Sequence, residues 1–222
     1  MLDEMLSYIA PHYCSACGER GTLLCDNCKY DIISEPYEAC VSCHKSLAPL
    51  KGICVTCTVP YGRAWCVADR RDHLQQLIND YKFSNARSAY KPLTALLHDR
   101  LPELPADTVI IPIPTVGSHI RQRGYDHMLL IARRLGKLRG LPVSTALRRA
   151  TSTKQRDASR SQRIAQAKAA FSVAAPLSKD KTYLLIDDVV TTGATMKHAA
   201  QKLLDAGAGT VWVATISRQP LD

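Results

Sequence analysis

Two aspartates followed by a hydroxyl-rich turn make up the segment of this sequence that is best suited to chemistry. The stretch LLIDDVVTTGAT, residues 184–195, places Asp187 and Asp188 directly after an apolar run. The two carboxylates could accept hydrogen bonds from a sugar diol, and one of them could also bind a magnesium ion. Backbone N–H groups at a helix start, helped by hydroxyls, can hold a phosphate that the helix dipole also favours. The segment therefore predicts a site for a ribose 5-phosphate group.

The turn itself carries the atoms that would surround the phosphate. Gly193 allows the backbone to approach a ligand without a clash from a Cβ atom. An Asp-Asp turn that only caps a helix is the alternative. A cap needs a single polar side chain, however, whereas this segment has two acids, three threonines and a glycine. We therefore expect phosphate binding by Thr191, Thr192, Gly193, Ala194 and Thr195.

Cysteine pairs dominate the first quarter of the chain. Eight of the nine cysteines form four pairs with two residues between the members: Cys14 and Cys17, Cys25 and Cys28, Cys40 and Cys43, Cys54 and Cys57. Each pair can turn two thiolates toward one metal, and two pairs complete a tetrahedral sulfur site. Consecutive pairs would bind two zinc ions, one to the first four cysteines and one to the last four. A crossed arrangement, in which alternate pairs share a metal, fits the spacing as well.

Zinc is the metal that this pattern favours. An iron–sulfur cluster also takes four thiolates, but the small residues in CSACGERGTLLCDNC suit structural zinc knuckles. A disulfide framework is disfavoured in a cytosolic chain. Because the segment has few apolar residues, bound metal would supply its stability. The sequence leaves open whether this module is purely structural or also contacts nucleic acid or protein. We interpret His44 as a bystander and Cys66 as a packed thiol.

Composition and charge define the wider setting. With 222 residues, of which 46% are hydrophobic, the chain can bury one ordinary core and a small extra module. The net charge is +9, and residues 121–168 hold 13 Lys or Arg against two acids. Such a basic block suits either an anion-binding face or a solvated surface. We find neither a secretory signal pattern nor an apolar run long enough to span a membrane, so we expect a cytoplasmic protein.

Alternating helix-like and strand-like segments after Cys66 must position these groups. They predict an α/β fold with a mostly parallel sheet flanked by helices. Helices are expected over 73–83, 89–101, 125–140 and 194–208, and strands over 108–114, 144–147, 183–187 and 210–217. The last strand–helix–strand unit places Asp187 and Asp188 at the carboxyl end of a parallel strand, which is where such sheets bind ligands.

Two patterns resemble known families. LLIDDVVTTGAT is similar to the phosphoribosyl pyrophosphate motif of type I phosphoribosyltransferases. The cysteine pairs, followed by IPIPTVGSHIRQRGYDH, TKQRDASRSQRIAQAKAAF and that motif, resemble the ComF family of competence proteins over essentially the whole chain. This resemblance implies a double zinc ribbon at residues 1–62 and an amidophosphoribosyltransferase-like domain at residues 63–222.

The resemblance also implies roles for individual residues. Asp187 and Asp188 would be the catalytic acids that contact ribose and magnesium, and residues 191–195 would bind the 5-phosphate. The residues implied in pyrophosphate binding are Thr115, Val116, Gly117, Arg121 and Arg123. A mobile basic hood over the site would contact DNA through Lys154, Arg156, Arg160 and Arg163. The family usually has Phe-Asn-Gln where this chain has Tyr125, Asp126 and His127, and the hood here lacks the usual Leu and Glu.

Two functions follow from the resemblance. In the first, the protein serves natural transformation: it handles incoming single-stranded DNA at the cytoplasmic side of the inner membrane and retains a phosphoribosyl pyrophosphate site. Competence-machinery proteins would be further partners. In the alternative, it is an active magnesium-dependent phosphoribosyltransferase with an unknown nitrogenous acceptor. Both interpretations imply structural zinc, one or two ions, and magnesium bound with phosphoribosyl pyrophosphate.

Overall fold

A four-stranded parallel sheet forms the centre of the molecule. The computed structural model describes residues 12–45, 51–84, 86–149 and 170–220. The sheet contains β1 (Arg63–Asp69), β2 (Val109–Pro112), β5 (Thr182–Val190) and β6 (Thr210–Arg218), in the order β1-β6-β5-β2 with all neighbours parallel. A separate antiparallel ribbon pairs β3 (Leu147–Arg149) with β4 (Phe171–Val173).

Helices cover both faces of the sheet. Two short helices, α1 (Asp26–Ile33) and α4 (Gly117–Arg123), lie in the cysteine-rich segment and after β2. One face of the sheet packs against α2 (Asp72–Phe83), α3 (Tyr90–Arg100) and α5 (His127–Arg139), and the opposite face packs against α6 (Ala194–Asp205). Neighbouring residues of a strand point to opposite faces, so Leu184 and Ile186 join the first apolar layer and Leu185 joins the second. Among the described ranges, no helix combines the length and the apolar character that a membrane span requires.

The α/β class predicted from the sequence is confirmed. All four predicted helices are present within slightly different bounds, and so are the strands expected over 108–114, 183–187 and 210–217. The strand expected over 144–147 is wrong. Here the chain makes only a single bridge, between Val143 and Ile110, and the strand begins at Leu147 and pairs with β4 outside the main sheet. Pro142 has no N–H to donate and the run that follows is polar, so pairing with β2 stops after one residue.

The sequence pattern does not predict β1. Among the described strands, β1 pairs only with β6 and is therefore an edge strand, and its hydrophobic pattern is weaker than that of the central strand β5. This strand joins the cysteine-rich segment to the sheet. Ala64 N donates to Lys51 O at 2.9 Å, and Val41 N donates to Gly52 O at 3.0 Å.

Candidate functional site

The predicted phosphate turn, residues 191–195, lies at the carboxyl end of β5 and leads into α6. Gly193 is the N-cap of α6, and its φ of 72° belongs to the left-handed region that favours glycine. Gly193 is buried, whereas Thr191, Thr192, Ala194 and Thr195 are exposed. The structure therefore presents the turn to solvent at the start of a helix of 12 residues, where backbone N–H groups and the helix dipole favour an anion.

Asp188 is a buried carboxylate with two basic partners. Its Oδ1 atom lies 2.8 Å from Lys82 Nζ, and its Oδ2 atom lies 2.7 Å from His127 Nε2. Burial by itself would raise the pKa of Asp188, but the charge of Lys82 and the hydrogen bond from His127 outweigh burial and hold the pKa well below its usual range. Asp188 is therefore ionised and held in a fixed orientation.

Asp187 has a different environment, although it is the adjacent residue. It is partly exposed, and its Oδ1 atom accepts the Asp188 N–H at 3.0 Å. Desolvation and the negative charge of Asp188 raise the pKa of Asp187 to about 8. A bound cation would lower this pKa again, because a nearby positive charge favours the ionised carboxylate. We call the two aspartates the acid pair. Asp187 is the member of this pair whose charge depends on a ligand.

His127 joins the acid pair to the segment after β2. Its Nε2 atom faces Asp188, and its Nδ1 atom lies 3.1 Å from both Arg123 Nη1 and Thr115 Oγ1. Arginine only donates hydrogen bonds, and Thr115 Oγ1 already donates to Asp126 at 2.8 Å. Nδ1 is therefore the acceptor in this network, so the histidine proton lies on Nε2 and is donated to Asp188.

The predicted pyrophosphate residues lie where β2 passes into α4. Val116 is the N-cap of α4, and Gly117 is its first residue. Arg121 is exposed, whereas Arg123 is partly buried and contacts the histidine network. The structure therefore connects Thr115 and Arg123 to the acid pair and leaves Arg121 open to solvent.

Sequence reasoning missed Lys82 and His127 as site residues. Lys82 lies in the last turn of α2, where a lysine is favoured by the helix dipole alone, so its position carries no signal of an acidic partner. A signal did exist for His127, because the family usually has a glutamine at this position. Both side chains can donate an N–H to a carboxylate, so the histidine keeps a donor toward Asp188.

The eight paired cysteines form two clusters. Cluster 1 contains Cys14, Cys17, Cys25 and Cys28, cluster 2 contains Cys40, Cys43, Cys54 and Cys57, and the sulfur atoms within each cluster lie within 4.8 Å of one another. The structure thus groups consecutive pairs and does not have the crossed arrangement. All nine cysteines are free thiols, and Cys66, outside both clusters, is buried in β1.

The geometry of both clusters fits a zinc ion. Four sulfurs at about 2.3 Å from one zinc lie about 3.8 Å from one another. The sulfurs of Cys17 and Cys25 are 3.6 Å apart in cluster 1, and those of Cys43 and Cys54 are 3.5 Å apart in cluster 2. A backbone N–H also points at a sulfur in each cluster, as in the 3.4 Å contact from Cys25 N to Cys14 Sγ. Such hydrogen bonds stabilise the thiolate form that a metal needs.

Two polar side chains border cluster 2. Thr56 Oγ1 lies 3.2 Å from Cys54 Sγ, and this hydrogen bond is the main cause that lowers the pKa of Cys54 to about 6. His44 Nε2 lies 3.0 Å from Asp69 Oδ1. His44 therefore bonds to the end of β1, which agrees with its interpretation as a bystander.

The residues predicted to contact DNA lie outside the residues that the structure describes. They are Lys154, Arg156, Arg160 and Arg163. The described part of the same basic block ends in Arg148 and Arg149, which are exposed on β3.

Comparisons with known proteins agree with the fold and the motifs. A family model described as the phosphoribosyl transferase domain matches residues 108–221. The chain is 29% identical to Competence protein F of Haemophilus influenzae over 212 residues, which cover 88% of this chain and 90% of that protein. It is 31% identical to the DNA utilization protein YhgH of Escherichia coli over 176 residues, which cover 75% of this chain and 77% of that protein.

Similarity to solved structures is lower. The allosteric regulatory enzyme of purine biosynthesis aligns with a TM-score of 0.42 and 20% identity, over 57% of this chain and 25% of that enzyme. The purine phosphoribosyltransferase of Pyrococcus horikoshii aligns with a TM-score of 0.37 and 20% identity, over 60% of this chain and 74% of that protein. This chain thus spans a quarter of the length of the purine-biosynthesis enzyme.

The parallel sheet and the acid pair before the phosphate turn define a domain of the phosphoribosyltransferase type. The chain belongs to the phosphoribosyl transferase domain family, whose model covers half of its length. Its two cysteine clusters and its similarity to a competence protein and a DNA utilization protein place it, more narrowly, in the ComF family.

Proposed function

We propose that the protein binds phosphoribosyl pyrophosphate with magnesium and acts on single-stranded DNA in the cytoplasm during natural transformation. The observation that supports this choice of ligand is the contrast between the environments of the two aspartates in the acid pair. Asp188 is buried between Lys82 and His127, and Asp187 is partly exposed directly before the exposed phosphate turn. A fixed anion and one whose charge can change, on the strand that leads to a helix N-terminus, suit a ligand that has a metal ion, a diol and a phosphate.

Each part of the site suits one part of this ligand. The threonine hydroxyls and backbone N–H groups of the phosphate turn suit the 5-phosphate. The acid pair suits the ribose hydroxyls and magnesium, which would neutralise the pyrophosphate when bound. Arg121 and Arg123 suit the pyrophosphate oxygens, because a guanidinium can donate two parallel hydrogen bonds to such a group. We call residues 115–123 the pyrophosphate segment. His127 would keep the acid pair at a fixed distance from this segment, since it bonds to both.

Contact with DNA in this proposal depends on charge. Residues 121–168 carry 13 basic residues against two acids. A basic track of this kind binds a phosphate backbone without sequence preference and with strong salt dependence. The two relatives, a competence protein and a DNA utilization protein, support a role in receiving or using DNA. We propose that this role is carried out beside competence-machinery proteins at the cytoplasmic side of the inner membrane.

An active transferase with a nitrogenous acceptor is the second function that we propose. Its support is that His127 physically joins the acid pair to the pyrophosphate segment, which are the two groups that turnover would use together. In the competence function, by contrast, phosphoribosyl pyrophosphate would regulate DNA binding. Release of pyrophosphate in the presence of amines and nitrogenous bases separates the two functions.

Calorimetric titration of the zinc-loaded protein with phosphoribosyl pyrophosphate and magnesium tests the ligand. We expect binding by the wild type and none by Asp187→Asn/Asp188→Asn, because that variant lacks both carboxylates. Asp180→Asn/Asp205→Asn is the matched control, since it removes the same charge at two exposed positions outside the site. A wild type that does not bind would refute the ligand assignment.

Binding of a labelled single-stranded oligonucleotide, measured over a series of salt concentrations with and without the ligand, tests the DNA role. Arg156→Ala/Arg160→Ala should weaken binding and reduce the salt slope by about 1.4, which corresponds to two phosphate contacts. Lys179→Ala/Lys181→Ala removes the same charge at two exposed positions outside this basic block and should have a smaller effect. Equal losses in the two variants would contradict a specific DNA track.

A further inference from the structure

The knuckle between Cys40 and Cys43, part of cluster 2, packs directly against the phosphate turn. A Cβ atom on Gly193 would lie 3.4 Å from the Ser42 carbonyl oxygen and 3.5 Å from Ser42 Cα. Ser42 is itself buried, and among the described residues its hydroxyl has no hydrogen-bond partner. The backbone of this knuckle thus packs against Gly193, the residue whose conformation shapes the turn.

Arg218 ties the same knuckle to the strand ends that carry the site. This arginine is fully buried at the end of β6, and its Nη1 atom donates to Val41 O at 2.7 Å. On its other side, Arg218 is the register partner of Val190, the last residue of β5, and Ser217 Oγ donates to Asp188 O at 3.2 Å. The end of β6 therefore bonds both to Val41 in the knuckle and to the end of β5.

The buried charge of Arg218 has no carboxylate partner within the part of the chain that the structure describes. Its register neighbour on β1, Asp69, bonds to His44 and Arg71 instead. Arg218 Nε is buried and also has no hydrogen-bond acceptor among the described residues. A buried charge is costly without compensation from its surroundings, so negative charge close to Val41 would stabilise Arg218.

Cluster 2 can supply this negative charge when a metal fills it. Four thiolates around one Zn²⁺ leave a net charge of about −2. Arg218 donates to the carbonyl oxygen of Val41, and Val41 directly follows Cys40, a member of this cluster, in the chain. The arginine is thus bonded to the residue next to a cluster ligand.

Cluster 1 has none of these described contacts. Its residues Cys14 and Cys25 are buried in the apolar layer of α2, α3 and α5. The polar contacts around it lead to α3, where Lys29 Nζ lies 3.2 Å from Asp99 Oδ2 and Arg100 Nη2 donates to Glu35 O at 2.7 Å. Cluster 1 therefore serves as a control for cluster 2, because it has the same four cysteine ligands at a different place in the fold.

We propose that cluster 2, through Ser42 and Arg218, positions the phosphate turn, so that metal in this cluster and ligand at the turn favour each other. The inference rests on the proposed binding of phosphoribosyl pyrophosphate at that turn. Coupling of this kind is reciprocal: a filled cluster 2 strengthens ligand binding, and bound ligand slows the loss of metal from cluster 2. Cluster 1 takes no part in it.

Zinc release from the wild type tests the coupling without any substitution. The zinc-loaded protein is mixed with a chromogenic zinc chelator that binds magnesium weakly, with and without phosphoribosyl pyrophosphate and magnesium. Cys17→Ser and Cys54→Ser, which each weaken one cluster, assign the two zinc ions to their kinetic phases. We expect the ligand to slow release from cluster 2 by about tenfold and to leave cluster 1 unchanged. Equal slowing at both clusters, or none at cluster 2, would overturn the proposal.

Ligand affinity in variants provides the reciprocal measurement. Cys54→Ser should weaken phosphoribosyl pyrophosphate binding by about tenfold and Cys17→Ser by less than about twofold. Arg218→Met should weaken binding in the same way and remove the effect of the ligand on zinc release, whereas Arg218→Lys should restore part of both, because it restores the charge. If the wild type binds ligand and Cys17→Ser loses as much affinity as Cys54→Ser, only this inference fails. If the wild type does not bind at all, the proposed function fails with it.

Discussion

The two cysteine clusters have the same four ligands but lie against opposite faces of the sheet. Cluster 1 packs into the layer formed by α2, α3 and α5, and cluster 2 lies on the side of α6, where Val41 is buried. Among the described residues, only cluster 2 borders the phosphate turn, through Ser42 and Gly193. Two clusters with identical ligands therefore have different neighbours, which are set by the part of the core against which each cluster packs.

The largest effect should come from removing a buried ligand of cluster 1. Cys25→Ser should lower the free energy of unfolding by about 4 kcal/mol or more, because loss of zinc also opens the apolar layer that contains this residue. Urea unfolding of the zinc-loaded variant measures this. Ligand affinity of the fraction that remains folded should stay within about twofold of the wild type. A large loss of affinity here would end the distinction between the clusters.

The second-largest effect should separate the two aspartates. Asp188→Asn leaves the ammonium group of Lys82 without its anion, so the free energy of unfolding should fall by about 3 kcal/mol. Asp187→Asn should not lower it, since no cation bonds to Asp187 among the described residues and its raised pKa makes the ionised carboxylate unfavourable at neutral pH. Urea unfolding at neutral pH without magnesium compares them. Equal losses would show that the acid pair acts as one unit.

The histidine bridge should have an intermediate effect. His127→Ala removes the donor to buried Asp188 and should cost about 2 kcal/mol in unfolding free energy and weaken ligand binding. His127→Gln, which introduces the usual residue of the family, keeps an N–H donor and should retain most of both. Calorimetry and urea unfolding of the two variants decide this. A glutamine variant as impaired as the alanine variant would contradict the bridging role.

The pH dependence of stability should also separate the two aspartates. The raised pKa of Asp187 means that the folded state holds a proton which the unfolded state has released, from about pH 4 up to about pH 8. The contribution of this group to the free energy of unfolding therefore falls as the pH rises through that window. Asp187→Asn should remove this fall, so the variant gains stability relative to the wild type between pH 5.5 and pH 8.5. Urea unfolding at those two values, without magnesium, measures the difference, and a constant difference would contradict it.

The smallest effect should occur beside cluster 2. His44 bonds to Asp69 and has a positive φ of 64°, a conformation that asparagine tolerates. His44→Asn should change the free energy of unfolding by about 0.5 kcal/mol, because a partly exposed pair contributes little. Its zinc content should equal that of the wild type. Loss of one zinc would make His44 a ligand and remove the equality of the two clusters.

Local patterns in the sequence predicted the elements that carry the candidate site. The order of apolar run, acid pair and turn predicted a strand, a turn and a helix, and β5, Gly193 and α6 follow in that order. The spacing of cysteine pairs predicted tetrahedral sulfur sites because two residues between cysteines are enough to bring two sulfurs to one point. The sequence pattern did not predict the edge strand β1 and predicted residues 144–147 wrongly, because little apolar surface is buried there on a repeating pattern.

The sequence by itself determined the chemistry that is built within a few residues: the sulfur knuckles, the helix start at the phosphate turn and the alternation of strands and helices. Only the tertiary structure decided which groups from distant segments meet. It grouped the cysteine pairs consecutively, placed Lys82 and His127 on Asp188, and set Ser42 and Arg218 behind the turn. The physical reason is that spacing constrains neighbours along the chain, whereas packing of both sheet faces selects the partners of buried charges.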